Sequence, residues 1–65
     1  MWEELEKILK NMWDNHDFIL GVKLYLPTEE NKKEMLQAIK AGWVTNSSEA
    51  IRYSMAIYHN EPFEE

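Results

Sequence analysis

The sequence predicts a mainly α-helical homodimer: one short strand per chain pairs antiparallel with its copy across a twofold axis, over two core helices, with an extra N-terminal helix. Three observations predict it. Residues Val22-Lys23-Leu24-Tyr25-Leu26 alternate apolar and polar side chains and are closed by Pro27, which reads as a half-buried strand with Val22, Leu24 and Leu26 on one face. Two well-punctuated helical segments follow it. Finally, 65 residues bury only a marginal core in one copy, and nothing else in the chain reads as a second strand. The unpaired amides and carbonyls of the strand are therefore expected to find partners in another chain.

In order along the chain, the first segment runs from Met1 to about Asn15. It places Trp2, Leu5, Leu9, Met12, Trp13 and His16 at three- and four-residue steps, the pattern of an amphipathic helix. Asp14-Asn15-His16-Asp17 reads as its C-terminus and a linker, with His16 near the negative end of the helix dipole. Phe18-Ile19-Leu20 extends the strand at its start or packs where the first helix meets it. After Pro27, Thr28 is a good N-cap for a helix from about Glu29 to Ala41 carrying Met35, Leu36 and Ile39 on its apolar side. Gly42 supplies the stop. Asn46-Ser47-Ser48-Glu49 has capping-box spacing, with Asn46 capping amides and Glu49 reaching back to it, so a second helix begins at Ser47. That helix is apolar nearly all round, through Ala50, Ile51, Tyr53, Met55, Ile57 and Tyr58, which predicts burial against a twofold mate. The division expected is 1–20, N-terminal helix and linker; 21–60, dimerising unit; and 61–65, an acidic tail.

The order strand, Pro-capped helix, Gly-containing turn and Asn-Ser-Ser-Glu-Ala-Ile-Arg resembles the ribbon-helix-helix superfamily of Met- and Arc-type repressors over roughly Gly21 to Tyr58. Its most specific part is Ser48-Glu49-Ala50-Ile51-Arg52, similar to the family's signature at the start of the second helix. The resemblance implies a homodimeric, sequence-specific transcriptional regulator. A two-stranded ribbon of this size fits the major groove of double-stranded DNA, where Lys23 and Tyr25 on its outer face would contact base edges. The amides and hydroxyls at Asn46, Ser47 and Ser48 would clamp phosphate.

Charge bears on that expectation. The formal net charge is -5, where nucleic-acid binders usually show a basic footprint. The acidity is concentrated in residues 1–20 and in the tail, leaving the middle close to neutral. A protein-binding module on the same fold, antitoxin-like or neutralising, is the alternative, with Trp2, Leu9 and Trp13 of the first helix as the anchor. The absence of Cys excludes disulfides and zinc-thiolate sites, and no cofactor or metal is expected. No Gly-rich phosphate loop and no nucleophile with a nearby base points to catalysis. With no apolar run near 18 residues and no signal peptide, the expectation is a soluble, cytoplasmic protein without membrane contact.

Overall fold

The computed structural model describes residues 1–60, which form four α-helices: α1 Trp2–Met12, α2 His16–Leu24, α3 Glu29–Lys40 and α4 Ser47–Tyr58. Among the described residues there is no strand, so the ribbon-helix-helix architecture is overturned. Residues Val22 to Leu24 are the last turn of α2, and Tyr25 is its C-cap.

The reason lies in an ambiguity of spacing. Val22 and Leu26 are four residues apart and share a face in a helix as readily as in a strand. Leu24 separates the two cases: a strand would bury it beside them, whereas it is 67% exposed. Upstream, Phe18 and Ile19 complete a stripe at helical steps, and both are buried with Val22 and Leu26. Asn15 starts the helix by accepting a hydrogen bond from the Phe18 amide on its Oδ1 at 2.9 Å. Pro27 disfavours the helical conformation at Leu26 and stops it. A helix also satisfies its own backbone groups within one chain, where the strand needed a second.

Several finer expectations change with it. The first helix ends at Met12, not Asn15. His16 is the first residue of α2 and so stands at the positive end of a dipole instead of the negative end. The division expected between residues 20 and 21 falls inside α2, and the acidic tail at 61–65 lies outside the described residues. α3 and α4 follow the sequence closely. Thr28 Oγ1 accepts from the Asn31 amide at 3.0 Å, and Asn46 Oδ1 accepts from the Glu49 amide at 3.0 Å. Glu49 does reach back, but one residue further than expected: its Oε1 accepts from the Thr45 amide at 2.7 Å and from the Thr45 hydroxyl at 2.8 Å. At the end of α3, Gly42 adopts φ +85°, the left-handed conformation that favours glycine. The Trp43 amide then bonds the Ala38 carbonyl at 3.0 Å and the Gly42 amide bonds that of Ile39 at 3.1 Å, a Schellman closure.

All four helices feed one core. Leu5 and Leu9 of α1, Leu26 after α2 and Met35 of α3 are fully buried, with Phe18, Val22, Val44 and Ala50 among their buried neighbours. Burying such a side chain stabilises by about 1.5–3 kcal/mol. α2 packs most broadly on α4, while α1 touches the other three helices. Lys40 of α3 reaches Glu4 of α1 at 3.5 Å, an exposed pair worth at most about 1 kcal/mol. No helix among the described residues is long and apolar enough to cross a membrane.

Candidate interaction surface

Side by side, α2 and α4 leave a shallow groove of about 130 Å³ lined by Asp17, Phe18, Gly21, Val22, Tyr25, Ile51 and Ser54. Two small residues make it. Gly21 sits inside α2 with nothing within 4 Å of where a Cβ would stand. Opposite, Ser54 is fully buried and its hydroxyl donates to the Ile51 carbonyl at 2.8 Å. One end of the groove is closed by aromatic rings: Tyr25 meets Tyr58 edge-on at 5.3 Å, and His59 lies 5.2 Å from Tyr58.

Around this groove the surface is apolar. On α4, Ile51, Met55 and Tyr58 are 36%, 37% and 53% exposed, and on α2, Leu20 is 43% exposed beside the outward-facing Leu24. Each residue advances about 100° around a helix, so Leu24 falls at the edge of the groove side of α2 while Leu20 is turned well away from it. At about 200 Å² for a fully exposed large side chain, Ile51, Met55, Tyr58 and Leu24 leave about 400 Å² of accessible surface in total. Monomeric proteins seldom show contiguous apolar patches larger than this, and patches of about 300–600 Å² are often functional.

Asp17 is the one ionic side chain that lines the groove. α1 carries Glu3, Glu4, Glu6, Lys7 and Lys10, and α3 carries Glu29, Glu30, Lys32, Lys33, Glu34 and Lys40. α2 has only Asp17 and Lys23, and α4 only Glu49 and Arg52, so these two helices carry fewer ionic groups, although α3 is neutral in sum as they are. The pair of donors from Thr45 holds the Glu49 carboxyl below the ordinary carboxylate range, helped by the Arg52 charge. Burial pushes the Tyr53 hydroxyl up, as does the charge of Glu34. Among the described residues, no cluster of three or more His, Asp or Glu is placed to hold a metal ion.

No protein family, curated protein or solved structure matches the chain. The Ser48–Arg52 motif opens a helix, as the resemblance implied, but it stands alone without its strand.

The residues expected to contact DNA are scattered. Lys23 places its Nζ 5.4 Å from the centre of the Trp2 ring, on the α1 side. Tyr25 turns to Tyr58 at the end of α4 and to its C-cap His59. Two residues apart on a helix, they point to different sides, where a strand would have aligned them. Asn46 is occupied as the cap of α4, and Ser47 and Ser48 form the first turn of that helix. The expected anchor on α1 is also broken up. Leu9 is wholly in the core, Trp2 is half-buried, and Trp13 is exposed after the end of α1 with its ring 5.5 Å from Phe18. Sequence reasoning missed Gly21 and Ile51 as the lining of one groove. The available signal was apolarity on more than one side of residues 18–26, which a helix shows when its second side is also covered.

Proposed function

We propose that the chain is a non-catalytic protein-interaction module whose α2–α4 face docks an apolar surface of another polypeptide. The observation that carries this reading is the Gly21–Ser54 groove together with the exposed apolar side chains Ile51, Met55 and Tyr58 of α4. Interface centres are depleted of charge and rich in aromatic and aliphatic side chains. Here Tyr25, Tyr58, Met55 and Ile51 supply the anchors, and the groove supplies a pocket for one from the partner. A reader of DNA built on a two-stranded ribbon is not carried forward, because its strand residues are helical and Lys23 and Tyr25 diverge.

Affinity capture by the immobilised protein, compared with Met55→Glu and Leu24→Glu, tests the reading. Both positions are exposed, so the variants keep their far-UV circular dichroism and lose the retained partner. Equal retention by all three proteins refutes it.

A further inference from the structure

We propose that the anchor received by the α2–α4 groove is a basic side chain of the partner polypeptide, its aliphatic stem lying along the apolar floor and its positive head against the Asp17 carboxylate. The proposal rests on the reading of that face as an interaction surface and names the chemistry of its partner.

Charge is the first argument. Asp17 alone among the lining residues is ionic, and among the described residues it forms no ion pair. The cations of the same two helices are engaged elsewhere. Lys23 stands over the Trp2 ring, and the charge of Arg52 acts on Glu49. An acid in the first turn of a helix is favoured by the dipole wherever it points. Here its exposed carboxylate also borders an apolar groove and meets no cation of its own chain.

The order of the lining is the second. Asp17 and Tyr25 are eight positions apart along α2 and its C-cap, about 12 Å of helix rise. The carboxylate therefore stands at one end and the Tyr25 and Tyr58 rings close the other. Between them Phe18, Gly21, Val22 and Ile51 offer apolar surface, which the missing Cβ of Gly21 keeps open. Lysine and arginine match such a lining, because they bury an aliphatic stem along apolar surface and hold their charge at the wet end. An acidic anchor would meet Asp17 as a like charge. A wholly aliphatic one would set hydrocarbon against a carboxylate that loses water for nothing in return.

Size decides between a side chain and a free small molecule. The groove of about 130 Å³ lies below the roughly 300–1,000 Å³ of sites that enclose drug-sized ligands. It is close to the roughly 150 Å³ of a cavity that admits one benzene ring. One side chain of a polypeptide fills it, and the rest of the partner meets the surrounding surface.

Two short peptides, capped at both ends to remove the terminal charges, test it. One is alanine-leucine-lysine-leucine-alanine; the other carries norleucine in place of lysine, which keeps the stem and lacks the ammonium. Each is titrated into the isotope-labelled whole chain, into the millimolar range, and followed by amide chemical shifts. The expected result is saturable shifts at Phe18, Gly21, Val22 and Ser54, with the lysine peptide bound about three- to fivefold more tightly, as one exposed charge contact allows. Asp17→Asn abolishes that preference. Asn15, not Asp17, caps α2, so the variant stays folded, and the comparison of the two peptides on the unaltered chain needs no variant. A preference that survives Asp17→Asn overturns the proposal, as do lysine-peptide shifts confined to α1 around Glu3, Glu4 and Glu6. Equal binding of both peptides in the groove overturns it and keeps the docking reading with an apolar anchor. No shift from either peptide also overturns it. In that case, partner capture lost in Met55→Glu keeps the docking reading, and capture that persists sinks both.

Discussion

Replacing Gly21 by Ala separates what the fold needs from what the surface needs. Gly21 lies inside α2, and a Cβ built there has open space around it. Glycine in a helix interior is less favourable than alanine by about 0.5–1 kcal/mol, chiefly through the freedom it retains when unfolded. With no clash to offset it, Gly21→Ala should gain most of that amount. For a domain of about 60–100 residues, 1 kcal/mol moves the melting temperature by about 4–8 °C, so a rise of about 3–6 °C is expected in thermal melts at low protein concentration. The same methyl group takes up part of the groove, so binding of a partner at this face should weaken. Stability and association then move in opposite directions. A melting temperature below that of the wild type would refute the reasoning, since it would mean that Gly21 is required by packing or backbone geometry.

Leu26→Ala removes a fully buried side chain at the exit of α2 and should destabilise by about 2–5 kcal/mol; a urea midpoint lowered by more than about 1 M checks it. Asn46→Ala deletes the cap of α4 and should destabilise by about 1 kcal/mol in the same assay. The Glu49 carboxyl is held below its ordinary value of 4.5 in the folded chain. Its contribution to stability is therefore present above about pH 4.5 and is lost as pH falls through the lower folded value. Glu49→Gln removes that titration, so the stability difference between the two proteins should shrink from pH 6 to pH 3; a constant difference would contradict the assignment.

How much of this was legible in the sequence depended on whether the deciding signal was local. Thr28, Gly42 and Asn46 act on backbone groups within a few residues, so α3, its closing turn and the start of α4 could be placed from residue types alone. At Val22 and Leu26 the spacing satisfied two periods at once, and only the exposure of Leu24 distinguished them, a fact about packing that no neighbour in the chain encodes. The site failed with the strand. Lys23 and Tyr25 share a face only if the chain is extended, and Leu9 offers an anchor only if α1 lies outside the core. The groove depends on Gly21 and Ser54, 33 positions apart in the chain, lining one space, which emerges only from how α2 settles on α4.

The uneven distribution of ionic groups among the helices also governs kinetics. Because Asp17 is the one ionic side chain that lines the groove, encounters through it gain little from long-range attraction, and their rate falls in the unassisted range of about 10⁵–10⁶ M⁻¹s⁻¹. Sodium chloride then leaves the association rate nearly unchanged, whereas sulfate, excluded from apolar surface, strengthens the contact. Ionic conditions act on this surface through water, while α1 and α3 keep the exterior hydrated.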